Sequence, residues 1–280
     1  MKEKKRKKKR VIPGFGLSLG VTLTMLGFIV LIPLGSLIVF SAQLSFRDFI
    51  ETVTRPRVLS SYLVSFQTAL IAALIDAVMG TLIAFVLVRY DFPGKKIMNG
   101  LIELPFALPT AVAGIALTHL TTTNGWIGSF FHKFGIEIAY TRIGITVALV
   151  FIGIPFVVRA VQPVLEKLDI QYEEAAHILG ANGRQTMFGV IFPEIFPALI
   201  GGFTMSFARG LGEYGSVVFI AGNTPYETEI APLMIMSELQ EFDYASATSV
   251  ALVMLLAAFV ILLINAVVQG RTSKIVNGIG

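Results

Sequence analysis

Cysteine is absent from the 280 residues, which excludes disulfides and thiol-based metal or redox chemistry. Charge is scarce as well, at 14% of the chain against about 25% in ordinary soluble domains. No Gly-x-x-x-x-Gly-Lys-Ser/Thr run occurs: Gly94-Lys95 is followed by Lys96, and the upstream glycine is lacking. The chain therefore carries no nucleotide-binding run of that type. There is no His-Glu-x-x-His pair, and His119, His132 and His177 fall in different segments, so neither catalytic residues nor metal ligands are assigned.

Long apolar tracts are abundant, and hydrophobic residues make up 55% of the chain. About 20 mostly apolar residues are needed to cross the hydrocarbon core of a bilayer. Six segments meet that length: 15–40, 62–88, 97–120, 143–161, 188–207 and 245–268. The expected fold is all-α, a polytopic membrane bundle of about six transmembrane helices. The third and fifth spans carry Pro105 and Pro109, and Pro193 and Pro197, in their first halves. Those prolines should kink both helices and free backbone carbonyls that neighbouring protein or water has to satisfy, so both helices belong inside the bundle. The apolar stretch 211–222 is too short to cross alone and is expected to be re-entrant or interfacial. Asp76 and Glu194 are candidates for buried pairs within their spans.

Charge placement gives an orientation. The first ten residues hold eight Lys or Arg, a strong signal for retention on the cytoplasmic side. With six spans, the cytoplasmic pieces then hold 16 of the 22 basic residues, and the region 211–244 has six acids and no base, as suits an outer face. Both termini are expected in the cytoplasm of a cell-membrane protein. Residues 1–12 form a basic cytoplasmic start, 13–270 the transmembrane domain and 271–280 a cytoplasmic tail. A cleaved signal segment is disfavoured, because the first apolar run is about 26 residues and Phe40 occupies the minus-three position of the only candidate site. The basic start reads as a topology signal and an anionic-lipid contact rather than a nucleic-acid site.

Between the fourth and fifth spans lies a polar helical segment, about 169–180. Asp169 is placed to cap it, Glu173 and Glu174 lie near its positive end, and Gly180 stands where a left-handed terminator is expected. Ala175, Ile178 and Leu179 share a face. So short a helix is marginal in water, and docking on a partner would stabilise it. A merely interfacial loop helix is the alternative at this point.

Glu174-Ala175-Ala176, then Gly180, then Val190-Ile191-Phe192-Pro193, resembles the cytoplasmic signature of binding-protein-dependent ABC importer permeases, with Val190 and Phe192 in place of Ile and Leu. The run Glu103-Leu104-Pro105-Phe106-Ala107-Leu108-Pro109-Thr110, continuing to Gly114, is similar to the third-span motif of sulfate and molybdate permeases. So is Arg209-Gly210-Leu211-Gly212-Glu213-Tyr214-Gly215-Ser216 with Ile220-Ala221-Gly222-Asn223. The run Glu241-Phe242-Asp243-Tyr244-Ala245-Ser246-Ala247 is most similar to T-type subunits of sulfate/thiosulfate permease pairs.

The resemblance implies the type I ABC importer permease fold and an ATP-driven import of sulfate or thiosulfate by alternating access. It implies coupling to a separate ATPase through Glu173, Glu174, Ala175, Ala176, Ile178, Leu179 and Gly180. It also implies two ATPase copies carrying ATP and Mg, a second, W-type permease and an extracytoplasmic sulfate-binding protein, with no cofactor on this chain. Substrate-path candidates are Arg209, Gly210, Gly212, Glu213, Tyr214, Gly215 and Ser216, since glycine-rich backbone beside an embedded arginine offers N–H groups and one positive charge to an oxyanion. The competing roles for Arg209 are simple neutralisation of Glu213, four residues on, and snorkelling to an interface. Molybdate or tungstate is the alternative cargo, and an ATPase-independent transporter and a membrane enzyme are the alternative classes.

Overall fold

A computed structural model describes residues 15–277, with side-chain surroundings for 15–267. The basic start and the last residues of the tail lie outside the described residues. Five helical stretches are long and apolar enough to cross a membrane: Phe15–Ser41, Pro56–Arg89, Arg142–Lys167, Gly183–Leu211 and Tyr244–Val267. They correspond to the first, second, fourth, fifth and sixth expected spans, each extending past the expected limits in at least one direction.

The first stretch is α1 (Phe15–Leu26) and α2 (Ile32–Ser41), joined by one π-helical turn over Gly27–Leu31 that leads into Pro33. Gly16-Leu17-Ser18-Leu19-Gly20 spells the Gly-x-Ser-x-Gly of hydrolase elbows, but it runs through the interior of α1 rather than a strand-to-helix turn. A short α3 (Phe46–Val53), capped by Ser45, precedes α4 (Pro56–Arg89), which starts on its proline.

The third expected span is broken at its prolines: it consists of α5 (Lys95–Ala107) and α6 (Thr110–Thr121), bent 112° at the break. Pro109 forces Leu108 into an extended conformation, φ −85° and ψ 136°, while Pro105 has already removed one N–H from the last turns of α5.

Next come α7 (Trp126–His132), α8 (Arg142–Lys167), α9 (Ile170–Ile178) and α10 (Gly183–Thr186). A π turn over Met187–Ile191 continues α10 into α11 (Phe192–Leu211). The chain ends with α12 (Val217–Ile220), α13 (Ala231–Gln240) and α14 (Tyr244–Asn277).

The centre of the bundle is α4 against α8 and α11, and small residues set the spacing. A methyl group at Gly80 would stand 2.8 Å from Val157 Cβ, and one at Gly202 2.8 Å from Val157 Cα, so α8 lies in contact with the backbones of both neighbours. Around that seam, Val157, Val158, Val161 and Leu165 are fully buried. By contrast α1 and α2 bury only Ser41, and their apolar side chains face outward, as a lipid solvent requires. The stretch expected to be re-entrant folds back into the bundle as α12, with Ser216, Val217 and Ile220 buried against α6.

Candidate functional site

Two constellations stand apart from the apolar packing. The first is α9 and its flanks. Asp169 accepts from the Gln171 N–H at 3.0 Å, as expected of the cap. The helix stops at Leu179, and Gly180 takes φ +86° while its N–H reaches His177 O at 2.9 Å and the Ala181 N–H reaches Ala176 O at 3.0 Å. These bonds satisfy the last carbonyls and turn the chain into α10. Asn182 and Gln185 then form a reciprocal capping box, at 3.0 and 2.8 Å.

Its apolar side chains point away from the bundle. Ile178 is 85% exposed and Leu179 87%, and Glu174 and Ala175 are exposed while Ala176 is half-buried. Covering each of the two large side chains would stabilise a complex by about 1.5–3 kcal/mol. Glu173 takes the opposite direction. Its carboxylate lies 2.6 Å from Arg89 at the end of α4, with both side chains mostly buried. Arg89 was not singled out from the sequence; it lay one residue past the expected second span and counted only toward the basic charge of the cytoplasmic side.

The second constellation is the turn after α11. Glu213 is 2% exposed, and its Oε2 lies 2.6 Å from Arg209 Nη1. Its Oε1 accepts from the Ser216 N–H at 2.9 Å and the Ser216 hydroxyl at 3.0 Å. Arg209 therefore has the counter-ion that the i, i+4 spacing suggests. One edge of its guanidinium has no protein partner among the described residues, and the side chain is 37% exposed. Tyr214 and Gly215 are half-buried, Gly212 is exposed, and Gly210 lies against Ala69 of α4.

The two sequence motifs meet here. A Cβ at Gly114 would collide with the Ser216 backbone, and one at Gly215 with Thr110. The break at Pro109 thus brings the start of α6 onto the Glu213–Ser216 turn. Thr110 and Gly114 were legible as motif members, but their contact with the turn was not.

Asp76 is fully buried, and its Oδ2 accepts from the Ser206 hydroxyl at 2.6 Å across α4 and α11, over the bare backbone of Gly153. It has a hydroxyl partner rather than a cationic one. Glu194 does not form the expected buried pair: it is exposed, at the edge of a 460 Å³ cleft with Lys167 and Tyr172 between α8, α9 and α11. At the opposite end of the molecule, Arg57 grips Glu229 with two bonds of 2.8 and 2.7 Å, and Arg142 donates to Glu227 O at 2.6 Å. These bonds fix the loop between α12 and α13, where Asn223 and Tyr226 adopt left-handed conformations.

Residues 76–274 match the family model described as "Binding-protein-dependent transport system inner membrane component". The chain is 47% identical over 270 residues to the sulfate transport system permease protein CysT of Escherichia coli K12, covering 96% of this chain and 98% of that one. It is also 47% identical over 249 residues to CysT of Synechocystis sp. PCC 6803, covering 89% and 87%. Among solved structures, a chain of a bacterial alginate ABC transporter superposes with a TM-score of 0.76 at 18% identity, covering 93% of this chain and 96% of that one. That similarity establishes the fold. An all-helical bundle, a short capped helix with bare apolar residues and a full-length match to transport permeases converge on one assignment. This multi-pass chain is a non-enzymatic permease subunit that works with a binding protein and an ATPase, and it belongs to the family of binding-protein-dependent transport system inner membrane components.

Proposed function

We propose that the chain carries sulfate, with thiosulfate as a second cargo, across the cell membrane by alternating access. Two copies of an ATPase supply the energy and bind the ATP and Mg. A second, W-type permease completes the membrane unit, and an extracytoplasmic sulfate-binding protein delivers the anion. The termini and α9 lie in the cytoplasm, in keeping with the excess of Lys and Arg on that side. Near-full-length similarity to sulfate permeases supports the cargo.

The observation that carries the coupling is the exposure of Ile178 and Leu179 on a helix whose fold is otherwise locally complete. Glu174, Ala175, Ala176, Ile178 and Leu179 form the surface the ATPase grips, and Gly180 sets its end. Energy input is required because a divalent anion entering against an inside-negative potential of 100 mV costs about 4.6 kcal/mol before any concentration gradient. The turn from Arg209 to Ser216 lines the path. There the unpartnered edge of Arg209 presents donors to the anion, while Glu213 keeps the net charge near zero, so that binding stays weak enough for release.

The decisive experiment measures uptake of labelled sulfate, thiosulfate and molybdate by the assembly reconstituted with ATPase and binding protein. ATP-dependent sulfate uptake is expected to exceed molybdate uptake. Uptake by the permease without any ATPase refutes the coupling, and a preference for molybdate reassigns the cargo.

A further inference from the structure

We propose that Arg89 is a positioning residue that links α9 to α4, so that displacement of the short helix by the ATPase is passed along α4 to the opposite face of the molecule. The inference rests on the proposed function and adds to it the route by which force enters the bundle.

Three elements meet at Arg89. It is the last residue of α4. Its Nη2 donates to Leu168 O, the carbonyl of the residue that ends α8, at 3.1 Å. The same nitrogen lies 2.6 Å from the Glu173 carboxylate in the first turn of α9. The side chains are 13% and 17% exposed, so water screens the pair far less than it does a surface contact. Charge placement suits both helices, with a cation at the C-terminal end of α4 and an acid at the N-terminal end of α9.

Glu173 is also the member of the polar segment that cannot serve the ATPase surface, because it is turned toward the bundle. Ile178 and Leu179, the side chains free to take a partner, lie one to two turns further along the same helix. A push on them therefore loads the Glu173–Arg89 contact. The contact is an ion pair without hydrogen-bond alignment, and Arg89 Nε is buried without a partner among the described residues. A bidentate fork would engage Nε as well, so a second arrangement of the same two side chains is available to a rotated α9.

The far end of α4 also carries an Arg–Glu pair, there a two-bond fork. Arg57, in its first turn, holds the buried Glu229 through two bonds, and Glu229 closes the loop between α12 and α13. A helix of 34 residues spans about 51 Å, so one rigid element is pinned by an Arg–Glu pair at each end. Between the pins it packs along both α8 and α11.

The test is a double-substitution cycle on the reconstituted assembly: Arg89→Gln, which removes the cation, Glu173→Gln, which removes its counter-ion, and the two together. Sulfate moved per ATP hydrolysed is the readout, with the yield of assembled complex measured alongside. Each single change is expected to lower the ratio about tenfold at normal assembly yield, and the double change to be no worse than either single one. Losses that multiply in the double variant overturn the link, as does a fall in yield with an unchanged ratio, which is the result of a purely structural pair. A wild-type assembly that hydrolyses ATP without moving any oxyanion refutes the proposed function, and the link falls with it. A transporting wild type whose variants keep its ratio refutes the link alone.

Discussion

Replacing Glu213 with alanine tests whether the turn after α11 is held by one carboxylate. The loss has two parts. Ser216 is fully buried, and without Glu213 its N–H has no acceptor, a cost of about 1–3 kcal/mol. Arg209 loses its counter-ion, but its side chain is 37% exposed, so that share is close to the value for a solvent-screened pair, about 1 kcal/mol. Together these give about 2–4 kcal/mol. Glu213→Gln separates them, because the amide oxygen still accepts from Ser216 while the charge is gone, and it should cost about 1 kcal/mol. Urea unfolding in detergent micelles, followed by far-ultraviolet circular dichroism, reads both variants. A Glu213→Ala protein within about 0.5 kcal/mol of the parent, or a glutamine variant as damaged as the alanine one, refutes the reasoning. Arg209→Ala completes the set: in a path residue it abolishes uptake at a stability cost of about 1 kcal/mol, whereas full uptake returns Arg209 to a neutralising role.

Gly114→Ala should cost about 1–3 kcal/mol, since the new methyl meets the Ser216 backbone rather than a movable side chain, while Gly100→Ala, which meets nothing, should be neutral or slightly stabilising in the same unfolding assay. Gly180→Val forces a β-branched residue to φ +86°, at about 1–2 kcal/mol of local strain, and should reduce sulfate moved per ATP even though no neighbour is touched; an unchanged ratio counts against the docking of α9. Opposite pH dependences are expected near the start of α14. Burial first, and then Asp243, raises the pKa of Glu238, so its favourable contribution is present below the ordinary carboxylate range and is lost as pH rises through the raised value. Hydrogen bonds from Ser246 depress Asp243, whose contribution is present above the ordinary range and is lost as pH falls through the depressed value. Glu238→Gln should therefore stabilise at pH 7 and lose that gain on acidification, whereas Asp243→Ala should destabilise by about 1 kcal/mol at pH 7 and converge on the parent in acid; thermal melts across pH 3–8 check both.

The amino-acid sequence determined the features that arise from local composition. Apolar tracts longer than the hydrocarbon core made the chain a polytopic bundle, because a helix satisfies its backbone hydrogen bonds within each span. The cap at Asp169 and the terminator at Gly180 were legible for a similar reason, since capping depends on residues only a few positions apart. The tertiary structure alone decided which distant residues meet. Asp76 finds Ser206 130 positions away, Arg57 finds Glu229 172 away, and Gly114 admits the backbone of Ser216. It also decided that one expected span is two helices at a steep angle, and that Glu173 faces Arg89 rather than the surface beside it. Periodicity reports which face of a helix is apolar, but not what lies against that face. Helix direction after a proline break and pairing across the bundle depend on packing, and packing is a property of all the helices together.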